Sequence, residues 1–179
     1  ETDVVATAPS GQLAYFFNPP GSPRWIGRVI PGVFGVNPAV VQRPNGETDV
    51  VATAPSGRLE LATNQLGDPS WGSGLIPGAS GTNPAALLRA ASRAGTSAGD
   101  LDVIARGPHG QLEYLAQPSG TSTWAQQPIT GASGIDPVAV QRAKGAATGE
   151  TDVVAARSDG TLSFYSEAPG SSAWRGGPV

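Results

Sequence analysis

Ten residues have types and spacing that could do chemistry. Trp25, Trp71, Trp124 and Trp174 each stand 22 residues after an aspartate, namely Asp3, Asp49, Asp102 and Asp152. An indole face suits the apolar face of a pyranose, and its N–H can donate a hydrogen bond. Arg43, Arg89 and Arg142 stand 40 residues after the first three of those aspartates. A guanidinium offers five donors, which suit vicinal hydroxyls or a carboxylate. Asn37, Asn83 and Asp136 each precede a proline and could bond sugar hydroxyls. Every set also has a purely architectural reading. The tryptophans suit packing of one unit on the next, and the arginines suit a hairpin ion pair or a solvated strand end. The Asn-Pro and Asp-Pro pairs suit an Asx-type turn. The four aspartates fit best as ties between a hairpin and the neighbouring turn.

Other chemistries lack their residues. His109 is the one histidine and fills a turn position held by Ser10, Ser56 and Asp159 elsewhere, so no metal trio or general base can be built around it. The absence of cysteine excludes a disulfide framework and a thiolate metal site. No turn carries enough acidic residues for a calcium loop. No nucleophile elbow, phosphate loop or dinucleotide fingerprint follows a predicted strand. An enzyme normally breaks repeat symmetry at its site, and no break is evident in the sequence. Eleven Lys and Arg against fourteen Asp and Glu leave a formal charge of −3, which argues against a nucleic-acid groove or a polybasic membrane surface. The longest apolar runs are too short to span a bilayer. The expectation is a non-enzymatic binder without cofactor or metal, nucleic-acid partner or membrane insertion.

What positions these residues is a repeat. Between each aspartate and its tryptophan the spacing never slips. Ala lies at the third position after the aspartate (Ala6, Ala52, Ala105, Ala155), Gly at the eighth (Gly11, Gly57, Gly110, Gly160) and Leu at the tenth (Leu13, Leu59, Leu112, Leu162). A second glycine follows at the eighteenth (Gly21, Gly67, Gly120, Gly170). Self-similarity at this period signals a repeat architecture. The 25 glycines and 17 prolines recur at fixed offsets, so they read as turn punctuation.

In the first unit, residues 3–7 read as strand two, 8–11 as a tight turn, 13–17 as strand three and 25–30 as strand four. Residues 31–38 read as a longer crossing and 39–43 as strand one of the next unit. Asn45-Gly46 between apolar runs is a strong hairpin signal. That hairpin lengthens to 90–100 and 143–150 in later units. A helix over 84–94 has suitable composition, but its counterparts AVVQR and VAVQR are strand-like, which favours a strand. DVVA and PAVV, nearly continuous in apolar residues, suit strands buried on both faces. Four short antiparallel strands per unit of about 50 residues predict an all-β propeller of tandem blades. The units run 1–36, 37–82, 83–135 and 136–179, the first lacking its inner strand. Fifteen strands where four blades need sixteen predict a homo-oligomer, or a fragment of a longer propeller, that completes the ring.

A unit reading Asn/Asp/Thr-Pro-Ala-x-Val, then Asp-Val, Gly-x-Leu and Gly-x-x-x-Trp resembles the PLL-like bacterial β-propeller lectins, architectural relatives of tachylectin-type propellers. Unit two shows it as Asn37-Pro38-Ala39, Asp49-Val50, Gly57-x-Leu59 and Gly67 before Trp71. Blades of that family carry further aromatics where this chain has residues 72–74 and Arg43, Arg89 and Arg142. The resemblance implies a secreted or extracellular sugar binder, often selective for fucose-type glycans on a cell surface or glycoprotein, with shallow pockets between adjacent blades. The alternative is a protein-interaction or structural propeller without sugar binding.

Overall fold

The computed structural model describes residues 2–19, 21–65, 68, 70–89, 99–142, 149–168 and 171–179. Most of the two long hairpins expected over 90–100 and 143–150, and the glycines at 67 and 170, lie outside the described residues. Every regular element among the described residues is a strand. In chain order these are β1 (Thr2–Thr7), β2 (Gln12–Asn18), β3 (Ile26–Phe34), β4 (Val36–Gln42), β5 (Thr48–Thr53), β6 (Arg58–Asn64), β7 (Gly72–Ser80) and β8 (Thr82–Arg89), continuing with β9 (Asp100–Arg106), β10 (Gln111–Gln117), β11 (Ala125–Ser133), β12 (Ile135–Gln141), β13 (Thr151–Ala156), β14 (Leu162–Glu167) and β15 (Trp174–Pro178). They form one three-stranded sheet, β1–β3, and three four-stranded antiparallel sheets, β4–β7, β8–β11 and β12–β15. The inner strands β4, β8 and β12 lie side by side, with β1 next to β4.

The tight turns fold as their sequences dictate. Ala8-Pro9-Ser10-Gly11 closes with Gly11 N donating to Ala8 O at 2.8 Å, and Gly11 takes φ 82°, which only glycine adopts without strain. The eighth-position glycine has a second task. Its carbonyl accepts from the crossing: Gly35 N reaches Gly11 O and Gly81 N reaches Gly57 O, each at 3.0 Å, and Gly134 N reaches Gly110 O at 3.2 Å.

The crossing is much shorter than its composition suggests. β3 runs on through Pro31-Gly32 to Phe34, and Gly35 alone separates it from β4. Two bulges replace the expected loop, one in the β2–β3 pairing between Gln12 and Ala14 and one in the β4–β5 pairing between Val36 and Ala39. Asn37, at φ 52°, is the bulged residue, and Asn83 and Asp136 repeat it at 53° and 50°. Asn and Asp tolerate the left-handed region better than other side chains. The following proline has no N–H to leave unpaired, so it suits a bulge. Turn-forming residues therefore re-aim a continuous strand here.

Gly35, Gly81 and Gly134 press against the next sheet. A Cβ on Gly81 would stand 2.9 Å from the carbonyl oxygen of Arg106. Gly81→Ala is therefore expected to cost about 1–3 kcal/mol through overpacking, read as a lowered urea midpoint.

Burial corrects the expectation about inner strands. β5 is buried along its whole length, as is β9 save for its last residue, whereas β4 and β12 are largely half-buried or exposed. Strand two is the core strand in the units whose β5, β9 and β13 are sandwiched between successive sheets, whereas β1 of the first unit alternates between half-buried and exposed. The core is three seam clusters. One joins Leu13, Ile30 and Val33 to Val50, Ala52 and Ala62 of the next unit; a second joins Leu59, Ile76 and Ala79 to Val103, Ala105 and Leu115. The third joins Leu112, Ile129 and Ala132 to Val153, Ala155 and Tyr165.

Candidate functional site

The tryptophans cap these seams. Trp71 lies edge-on to Tyr15 of the preceding unit, with ring centroids 5.6 Å apart. Trp174 lies with its ring tilted 5.6 Å from that of Tyr114, which also belongs to the preceding unit. Trp124 packs on the cluster that holds Leu61. Trp25 has no preceding unit in the structure and is 51% exposed.

The arginines leave the end of strand one and hold the aspartates. Arg43 Nε meets Asp49 Oδ2 at 2.6 Å, Arg89 Nε meets Asp102 Oδ2 at 2.8 Å, and Arg142 Nε meets Asp152 Oδ2 at 2.6 Å. Two of them also cross the seam. Arg43 donates to Gly99 O and Gln117 Oε1, and Arg89 donates through Nη2 to Glu167 Oε2 at 3.1 Å, while the same nitrogen donates to Tyr114 OH of its own sheet at 2.5 Å. The Tyr114 hydroxyl in turn donates to Asp102 Oδ1 at 2.8 Å.

This second network is fully buried. Burial raises the Asp102 carboxyl above its ordinary 3.8, although Arg89 and Tyr114 pull against it. Burial, followed by the negative charge of Asp102, raises the Tyr114 phenol well above 10.0. The folded state therefore keeps a proton that the unfolded chain releases above pH 10. Its contribution to stability is complete below that pH and is lost as pH climbs further. A phenolate absorbance titration should show a late-ionising tyrosine that Tyr114→Phe removes.

Asn37, Asn83 and Asp136 join one another instead. Asn37 Nδ2 donates to Asn83 Oδ1, and Asn83 Nδ2 donates to Asp136 Oδ1, a chain of side chains linking β4, β8 and β12. His109 sits exposed in its turn, where its backbone N–H donates to Gln111 Oε1.

A cavity of about 140 Å³ opens at the seam between the last two sheets. Tyr114, Ala116, Ala125, Gln126 and Gln127 line it from β10 and β11, and Glu167 and Ser172 close it from the next unit. None of the ten residues singled out in the sequence lines it, though Arg89 holds two that do and Trp174 braces Tyr114. Glu167 is 1% exposed, and its Oε1 has no hydrogen-bond partner, nor has the buried Trp174 Nε1. A buried polar atom left unpaired costs about 1–3 kcal/mol. The expectation of unbroken repeat symmetry is corrected here. Gln126 and Gln127 replace Gly27-Arg28, Ser73-Gly74 and Gly176-Gly177 of the other units, and Glu167 replaces Asn18, Asn64 and Gln117. Those substitutions were the signal available in the sequence.

Solved structures share this arrangement of sheets. The BP39L lectin from Burkholderia pseudomallei matches with a TM-score of 0.73 at 24% identity, over 99% of this chain and 51% of that one. An Aleuria aurantia lectin mutant in complex with α-methyl-L-fucoside matches at 0.66 and 14%, over 94% of this chain and 52% of that one. A fucose lectin from Kordia zhangzhouensis in complex with methyl-fucoside matches at 0.51 and 16%, over 78% and 96%. The fold is that of these lectins. The chain spans about half the length of the first two. No family model matches it, and no curated protein does. At these identities the likeness carries the propeller-like fold, and the site has to be read from its own residues.

Proposed function

We propose that the chain is a carbohydrate-binding lectin of propeller type, secreted or surface-exposed, that takes one glycan residue into the seam beside Tyr114 and Glu167. The observation that carries this reading is the cavity between two units itself, with the Glu167 carboxylate among its lining groups. A sugar hydroxyl would donate to that carboxylate, while Tyr114, Ala116 and Ala125 offer an apolar surface to ring C–H groups. Arg89 is already committed to Asp102, Tyr114 and Glu167, so its charge is not free for an anionic sugar. One guanidinium against two carboxylates favours a neutral, hydroxyl-rich ligand. The fucosides held by two neighbours of the same fold make L-fucose the first ligand to try.

A cavity this small fits weak binding, with Kd of about 1 mM, or about −4 kcal/mol. Titration with methyl-α-L-fucoside, followed by tryptophan fluorescence and NMR, is expected to perturb Trp174 and Tyr114. Glu167→Gln should weaken binding about tenfold or more, since hydrogen bonds to a charged group contribute about 1.5–3 kcal/mol. Ser172→Ala, at an exposed site, should weaken it with the fold intact. A blank high-valency glycan array would overturn the reading and favour a protein-interaction propeller.

A further inference from the structure

The cavity seam holds a buried charge imbalance. Arg89 bonds Asp102 Oδ2 at 2.8 Å and Glu167 Oε2 at 3.1 Å, and its Nη2 also reaches the Tyr114 hydroxyl. All four side chains are at most 5% exposed. One guanidinium thus faces two carboxylates where water cannot screen them, and carboxylates that share a site resist ionising together. At the preceding seam Leu61 and Gln117 stand in the places of Tyr114 and Glu167. Arg43 therefore meets Asp49 there without a phenol beside it or a carboxylate from the next unit.

The Tyr114 hydroxyl is the movable part of this cluster. It accepts from Arg89 Nη2 and donates its one hydrogen to Asp102 Oδ1 at 2.8 Å. A proton placed on Asp102 Oδ1 reverses that bond, because a carboxylic O–H donates. The phenol hydrogen must then turn away from Asp102. Glu167 Oε2, which shares the Arg89 nitrogen with the hydroxyl, is the acceptor on that side. Other polar groups around the cluster are already engaged or carry no charge. Asp100 Oδ1 on β9 accepts from Ser119 N, and the Tyr165 hydroxyl on β14 donates to Gly131 O. Arg142, after β12, pairs with Asp152 and Glu150 of its own sheet. β13 and β15 turn Val153, Ala155 and Trp174 to this seam, and β11 lines the cavity with Ala125, Gln126 and Gln127.

We propose that this seam is an acid-operated release, in which a proton taken up by Asp102 swings the Tyr114 hydroxyl onto Glu167 and the cavity lets go of its glycan. Glu167 then accepts from both Arg89 and Tyr114. Less of its charge is left for a sugar hydroxyl, whose bond draws its strength from that charge. Burial favours uptake of the proton, since it raises the Asp102 carboxyl above its ordinary 3.8, although Arg89 and Tyr114 pull the other way. The folded chain therefore takes this proton before the unfolded chain does. The group favours the folded state below pH 3.8 and ceases to do so as pH rises through the folded value, so loading the switch does not itself loosen the seam. Release rests on the glycan site proposed above; the proton movement does not.

Two measurements on the full chain test it. Carboxyl-detected NMR without sugar is expected to show Asp102 titrating above 3.8, with the Tyr114 ring signals following at the same midpoint. Asp102→Asn identifies the first signal and should abolish the change in the second. The Kd for methyl-α-L-fucoside is expected to rise about fivefold to tenfold from about pH 7.5 to about pH 4.5, the difference between a charged and a weakened acceptor. Tyr114→Phe lacks the hydroxyl that carries the change and should flatten this profile, whereas Asp159→Asn, at an exposed turn, should leave it as steep as in the parent. A Kd that does not move with pH, or a Tyr114 ring blind to the Asp102 titration, would overturn the proposal. Absence of fucoside binding at every pH would instead sink the glycan site, and the sugar-free titration would still decide the switch. Far-UV circular dichroism at each pH separates release from unfolding.

Discussion

Arg89→Ala is expected to lower the unfolding free energy by about 3–5 kcal/mol, the cost of breaking a buried ion pair from one side. Arg89, Asp102 and Glu167 are 3%, 0% and 1% exposed, so water cannot replace the lost guanidinium. Removing it leaves two carboxylates facing each other in the interior and takes a partner from Tyr114. The penalty is therefore mostly that of unpaired charge. Against a typical stability of about 5–15 kcal/mol, many molecules would unfold at modest urea. Arg142→Ala makes the same change in the next unit, but Arg142 stands in solvent, and its midpoint should hardly move. Urea unfolding of the two variants side by side checks this. A shift at Arg89 no larger than that at Arg142 would show that the buried network does not hold the seam.

That contrast also marks how far the sequence could be read. Strands two and three of every unit, with the tight turn between them, were legible because local signals agree: a largely β-branched run precedes Pro-Ser-Gly or its equivalent, and a run opening on the tenth-position leucine follows it, at a fixed register. The crossing was not legible. Pro31-Gly32 and Asn37-Pro38 carry the residues of a loop, and only tertiary pairing shows that they bend continuous strands through two bulges. Burial was equally hidden. Leu59 and Leu162 share residue type and offset, and they differ because one meets a following unit and the other does not. The candidate site escaped for a related reason. A search for repeated chemistry finds Trp, Arg and Asn positions, whereas the cavity lies where the repeat is broken by Gln126, Gln127 and Glu167. Their alternatives in other units are mainly Gly, Ser and Asn, too short to shape a pocket in the same way.

Leu112→Ala should reveal whether stability and binding share the seam. Leu112 is completely buried in the cluster that joins Ile104, Ile129 and Ala132 to Val153, Ala155 and Tyr165. A Leu→Ala change in such a place costs about 2–5 kcal/mol, from lost transfer energy plus the void left behind. Leu59 is equally buried one seam earlier, so Leu59→Ala should cost about as much. The two should part in their effect on ligand. Tyr114 belongs to the Leu112 cluster and Glu167 holds the other side of the same seam. Loosening that cluster should therefore spread the cavity walls and weaken fucoside binding, while Leu59→Ala should leave the Kd unchanged. Measured below the unfolding transition, equal loss of binding in both variants would mean that the ligand does not sit between the last two sheets. Loss confined to Leu112→Ala would tie recognition to the one seam where Tyr114 and Glu167 meet.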